Sequence, residues 1–163
     1  MYKYADKQLS FEDFEAPIGM TLHKENRWVQ KAEMIPWDEI ERRYTKLFTN
    51  NKSNVAKSLR LALGACIIQA EYGFSDEETA RMIREHAYMQ FFCGFRKYDD
   101  SKPPFDPSLM VYYRKCLTPA ILGEINETII SKAQQKSKNI EEKHEKMKTI
   151  KETSLSRLQT AAL

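Results

Sequence analysis

Apolar residues recur at helical spacing along the middle of this chain, in five stretches. Ile40, Tyr44, Leu47 and Phe48 form the first stripe. Pro36 and Trp37 open it, and Asp38, Glu39 and Glu41 lie where a helix dipole favours acids. Val55, Leu59, Leu63, Cys66, Ile67 and Ala70 form a second from about Asn54, after a polar, turn-like run over Thr49–Asn54. Gly73 suits the left-handed position that ends such a helix. Ser75 starts a third, with Glu78 at capping-box distance. Met82, Ile83, Tyr88, Met89 and Phe92 give it a buried side, and Gly94 is its stop. Pro103 and Pro104 exclude a helix between Phe95 and Asp106. Asp106-Pro107 and Thr118-Pro119 then repeat one device, a capping side chain followed by proline, at the starts of a fourth and a fifth helix. Ile121, Leu122, Ile125, Ile129 and Ile130 line the fifth.

The two ends are patterned differently. Phe11, Phe14, Ile18, Met20 and Leu22 suit a short strand or an extended arm lying on the core. Beyond Ala133 the run KAQQKSKNIEEKHEKMKTIKE has few apolar anchors, so it is either a solvated helix or disordered. The expected architecture is all-α: an N-terminal arm over residues 1–35, a bundle of about five helices over 36–133, and a lysine-rich tail over 134–163.

Composition narrows this further. A chain of 163 residues is one domain with room for a tail. Five glycines and six prolines are too few for a many-turned β fold. The net charge of +3 is unevenly placed: residues 132–163 hold eight Lys or Arg against four Glu, whereas the rest holds 18 against 19 acids. Any DNA contact in the bundle therefore comes from a local patch, because affinity follows the number of phosphates neutralised. Cys66, Cys93 and Cys116 lie far apart among apolar residues, with no CxxC pair. Buried reduced thiols and the absence of an apolar leader in MYKYADKQLS lead us to expect a cytoplasmic protein. The longest apolar stretch, Leu59–Ile68, is interrupted by Arg60 and Gly64 and is too short to span a bilayer.

Two features carry candidate chemistry. The turn at Tyr72–Ser75 between two helices has the shape of a helix-turn-helix and equally that of an ordinary helical hairpin. The fourth helix, PSLMVYYRKCL, can turn Leu109, Val111 or Tyr112, and Leu117 to the core. Ser108, Arg114, Lys115 and one tyrosine, taken as Tyr112, then point outward. A proline-started helix presents backbone N–H groups that favour phosphate, and hydroxyl and guanidinium groups hold a protein in register on a duplex. Arg96, Lys97 and Lys102 in the preceding loop extend the patch as backbone anchors, while Asp99 and Asp100 oppose it. The competing reading is that Arg114 and Lys115 merely complement the negative end of a short helix. His23, His86 and His144 are scattered and none stands at metal-ligand spacing. No phosphate-cradling glycine loop or nucleophile elbow occurs, so no cofactor and no small-molecule substrate is expected.

YGFSDEETARMIREHAYMQFF followed by KPPFDPSLMVYYRKCLTPAILGEINETII resembles the N-terminal domain of bacterial insertion-sequence transposases of the InsH type. The likeness covers about residues 8–133 and is strongest from Leu59 to Ile130. It implies double-stranded DNA as partner, through recognition of the element's terminal inverted repeats, and a separate metal-dependent nuclease domain of ribonuclease-H-like fold. That chemistry needs an Asp-Asp-Glu set holding two divalent ions. The final aspartate here is Asp106, inside the helical region, and only glutamates follow. The expectation is thus a truncated, non-catalytic transposase product, which competes with full-length transposase for the ends or is a relic. The alternative is a helical dimerisation module whose helix after Pro119 pairs with another copy or with a separate catalytic half.

Overall fold

The computed structural model describes residues 10–48 and 58–160. Seven α-helices and two short 3-10 turns account for its regular structure, with no strand among the described residues. The helices are α1 Arg27–Met34, α2 Trp37–Tyr44, α3 Leu59–Tyr72, α4 Asp76–Glu85, α5 Ala87–Phe92, α6 Leu109–Cys116 and α7 Pro119–Thr160. The chain divides into two compact units, Met1–Ile125 and Asn126–Leu163. The all-α expectation holds. The expected run at Thr49–Asn54, the helix start near Asn54, and Val55 lie outside the described residues.

In the first unit α3 is buried on nearly every side from Leu59 to Ala65, as befits a central helix. Ser58 caps its start, its hydroxyl accepting from the Leu61 N–H, and Gly73 at φ 69° ends it in the left-handed conformation. Gly64 allows a close approach: a Cβ there would meet Cys93 Sγ at 3.1 Å. The capping box at Ser75 and Glu78 is formed in both directions.

The third expected helix is broken in two. His86 is extended, at φ −119° and ψ 111°, so α4 stops and α5 begins after it. A break inside a packed region strands backbone carbonyls. Side chains recover them. The Gln90 amide, almost wholly buried, donates to Arg84 O at 2.8 Å and to Asp99 O at 3.0 Å, and accepts from the Asp99 N–H at 2.9 Å. Gln90 thereby ties the 95–108 loop to the break.

Arg60 does the same service at the other end of α5. It is 6% exposed, and it donates from Nε to Phe92 O at 3.0 Å and from Nη2 to Phe91 O at 2.9 Å. Its guanidinium lies 4.9 Å from the Trp37 ring and 5.6 Å from that of Phe91. Burial pulls its pKa down to about 10, which leaves it charged at neutral pH. Gly94, at φ 88°, is needed beside it, since a Cβ would meet Arg60 Cδ at 2.8 Å.

The N-terminal region departs from the expected arm. Residues 27–34 form helix α1, with Asn26 as its cap and Trp28, Val29 and Ala32 buried. Trp28 packs 4.8 Å from Phe92, ring centre to ring centre. Ahead of α1 the chain runs through a 3-10 turn at Phe11–Asp13 and further turns, and is pinned to the bundle. Phe14 sits edge-on to Phe91, Glu15 pairs with the loop at Lys97, and the His23 N–H donates to the Tyr88 hydroxyl. Phe14 and Leu22 are buried, whereas Ile18 is fully exposed. The tail is also more regular than its composition required, because α7 runs unbroken to Thr160.

Arg60→Ala is expected to lower the unfolding free energy by about 2 kcal/mol, because the Phe92 carbonyl loses its donor and the Phe91 carbonyl keeps the Gly94 N–H. Gly94→Ala should cost less in that background than in the native chain, since the crowding partner is gone while the strain of a positive φ remains. Urea unfolding of the four proteins checks both, and strict additivity would refute the contact. Tyr113 supplies a second prediction: its buried hydroxyl has no hydrogen-bond partner among the described residues. Tyr113→Phe should therefore raise stability by about 1 kcal/mol in the same assay; a loss of that size would mean the hydroxyl is satisfied.

Candidate nucleic-acid interface

Helix α6 begins at the Asp106-Pro107 device. The Asp106 carboxylate accepts from the Ser108 N–H at 2.9 Å and from the Ser108 hydroxyl at 2.6 Å. These bonds hold its carboxyl below the usual range. A backbone donor expected to favour phosphate is thus already occupied by a carboxylate, and the Ser108 hydroxyl is turned back into its own turn.

The helix places Met110, Tyr113 and Leu117 in the core, at i, i+3 and i+7. This is a different face from the one expected. Leu117 is inside as anticipated, but Val111 is exposed and Tyr113 is only 1% exposed, edge-on to Phe105 at 5.6 Å. Tyr112 is half-buried. Its hydroxyl donates to Leu47 O at 3.3 Å, and its pKa is pushed up to about 12, first by burial and then by Cys116. The Cys116 thiol reaches the same carbonyl at 3.4 Å. Tyr112 and Cys116 thereby join the end of α6 to the 3-10 turn Thr45–Phe48.

The structure gives Arg114 a job other than the expected DNA contact. Its Nη1 donates to Asp76 Oδ1 at 2.7 Å and its Nη2 to Asp76 Oδ2 at 2.9 Å, a bidentate pair. Nη1 also donates to Gln69 Oε1 at 3.0 Å, and Gln69 Nε2 donates to Asp76 Oδ1 at 2.7 Å. Three side chains from α3, α4 and α6 close a ring. The Arg114 hydrogen bonds, then that of Gln69, hold the Asp76 carboxyl at about 2, while Arg114 is raised by the same pairing. Its charge is locally cancelled, so it adds little to the attraction of a phosphate.

Lys115, Arg96, Lys97 and Lys102 are exposed. The Lys97 backbone is held by the bridge to Glu15, with the Glu15 N–H donating to Arg96 O at 3.0 Å and the Tyr98 N–H to Glu15 O at 2.9 Å. Asp99 turns onto Ser101, which keeps its carboxyl ionised below the usual range. The α3–α4 turn reads differently. The helix after such a turn meets bases with its N-terminal residues. In α4 those are Asp76, Glu77 and Glu78, which suit the helix dipole and repel phosphate. This geometry favours the hairpin reading of Tyr72–Ser75.

Sequence reasoning missed Asp76 and Gln69 as partners of α6, since they lie 38 and 45 residues from Arg114. Cys93 is buried and Cys66 and Cys116 are partly so, all as free thiols. Burial pushes Cys66 up to about 11 and Cys93 to about 12. Among the described residues no group of three or more His, Cys, Asp or Glu side chains is placed to hold a metal ion, and no helix is long and apolar enough to cross a membrane.

The profile of a transposase domain family (DUF772) matches residues 18–116, more than half of the chain. The chain belongs to this transposase domain family. The match runs from the exposed Ile18 turn to the last residue of α6, so it takes in the Arg114 ring and the loop cations together. A curated relative from Rhizobium meliloti, the uncharacterized protein ORF8 in the nfe locus, is 29% identical over 122 residues. That alignment covers 75% of this chain and 58% of the relative, so the chain spans somewhat over half the relative's length. No solved structure matches.

The pairing makes a pH prediction. Asp76 is depressed on folding, so its contribution is fully present above the unfolded value near 4 and is lost as pH falls toward about 2. Because Arg114 is 45% exposed, the contribution is set at about 1 kcal/mol rather than at the full shift. Arg114→Ala should flatten stability between pH 4 and 2 by roughly that amount in acid-series urea melts. An unchanged acid profile would show that the pair does not stabilise the fold.

Proposed function

We propose that this domain binds double-stranded DNA at transposon ends, as the recognising rather than the cutting part of a transposition system. The supporting observation is the family: a transposase domain profile covers the packed region from Ile18 to Cys116. Transposition requires that the ends of the element be found on duplex DNA before any bond is broken. A small helical domain that offers exposed cations, without a clustered acid set among its described residues, suits the finding step.

Within the first unit the contacts are assigned to Lys115 on α6 and to Arg96, Lys97 and Lys102 on the loop before it, while Ser108 and Tyr112, whose hydroxyls are engaged by Asp106 and Leu47 O, hold the ends of the helix. Arg114 supports them indirectly. By fixing α6 against the α3–α4 turn it sets where Lys115 points. Such a division is common at protein–DNA surfaces, where most bonds reach phosphate and only a few side chains read bases.

In gel-shift titrations on the inverted-repeat ends of the neighbouring mobile element, the native chain should bind those ends more tightly than a scrambled duplex. Replacing Lys97, Lys102 and Lys115 together by glutamine should reduce the salt slope by about 2.7, close to 0.9 for each phosphate contact removed. Equal affinity for ends and scrambled DNA would exclude recognition of the ends, and no shift at low salt would exclude DNA binding altogether.

A further inference from the structure

The second unit carries most of the chain's positive excess, and the helix arranges it. From Ser131 to Lys148 every residue of α7 is exposed. At 100° per residue, Lys132, Lys136, Lys143 and Lys146 fall within an arc of about 80°. Asn139 occupies the remaining position of that row. Glu141 and Glu145 lie on the far side of the helix, whereas Glu142 flanks the row four residues before Lys146; Lys138 precedes Glu142 by four residues and Lys148 follows Glu145 by three. Lys136 and Lys143 have no carboxylate three or four residues away in either direction. Like charges at these spacings, Lys132 with Lys136 and Lys143 with Lys146, work against an isolated helix. A solvated helix with no use for the row is better served by mixing the signs.

Resting on the DNA reading above, we infer that this lysine row is a grip on the DNA phosphate backbone. Lys132 to Lys146 spans about 21 Å along the axis, within one helical turn of a duplex at about 34 Å. Duplex DNA carries a phosphate every 3.4 Å on each strand, so lysines about 6, 10.5 and 4.5 Å apart along the helix each have a phosphate within reach without a base being read. The helix contributes affinity and leaves sequence choice to the first unit. Ala133, Ile140 and Met147 recur every seven residues beside the row, a spacing that also suits helix pairing. A second copy would bring two lysine rows together, which opposes that occupant.

The test is fluorescence anisotropy on an inverted-repeat duplex and a scrambled one across 50–200 mM salt, with the full chain and its Lys132→Gln, Lys136→Gln, Lys143→Gln, Lys146→Gln variant. These exposed positions leave helicity intact by circular dichroism. The slope should fall by about 3.6 for both duplexes alike, equivalent to about a hundredfold less salt-induced loss across that range. The corresponding lysine-to-arginine variant should keep the native slope, and so should Glu141→Gln, Glu142→Gln, Glu145→Gln. A native slope in the four-glutamine variant overturns the inference while leaving DNA binding intact. If the native chain shows no salt-dependent binding, the functional reading fails and takes this one with it.

Discussion

Arg114 on α6 and Asp76 at the start of α4 share two hydrogen bonds, and Gln69 on α3 completes the ring with one donated and one accepted. Three helices that meet mainly through apolar packing are thereby given one fixed rotation relative to each other. Apolar burial supplies most of the stability but is non-directional. A bidentate pair is directional, because a planar guanidinium donates to its carboxylate in a narrow range of geometries. The rest of the surface follows from that constraint. With α6 so held, Tyr113 and Met110 enter the core and Lys115 is left outside. With Asp76 engaged, the acidic first turn of α4 becomes part of a support instead of a groove reader.

Electrostatics then decides between surfaces. The first unit is balanced, with 18 Lys or Arg against 18 acids, and its arginine on α6 is cancelled by a neighbour while another, Arg60, is consumed inside the core. Cations in the first unit are matched in number by acids, whereas the second unit holds eight against five and sets several in a row along α7. A transposase-family domain that meets duplex DNA with such a distribution would take its sequence preference from a small patch and its strength from a lysine-lined helix. The two jobs separate in salt dependence, since backbone contacts release counterions whatever sequence they meet.

The features that were legible in the sequence are those determined within a few residues. Gly73 in its left-handed conformation and the reciprocal Ser75–Glu78 cap are local, and both formed as read. Helix α1 was not read, although its signals are local: Asn26 is a cap, and Trp28, Val29, Ala32 and Ile35 recur at helical spacing. The short length of that stripe, set among polar residues, hid it. The break at His86 was not legible, because it is stabilised by Gln90 reaching both Arg84 and Asp99, a contact that exists only once the loop has folded back. The site suffered for the same reason. Ser108, Arg114 and Lys115 were correctly placed outside the core, yet Ser108 is turned into its own cap and Arg114 belongs to an ion pair 38 residues away in sequence.

A double-mutant cycle on Arg114 and Asp76, read by both unfolding free energy and affinity for inverted-repeat DNA, addresses the assignment of Arg114 most directly. The expected result is a coupling of about 1 kcal/mol between the two alanine substitutions in stability, and the same loss of DNA affinity, less than about tenfold, from Arg114→Ala, Asp76→Ala and the double substitution, since each frees α6 alike. Absence of coupling, together with a tenfold or greater loss of DNA affinity from Arg114→Ala alone, would mean that the guanidinium serves the DNA and not the fold.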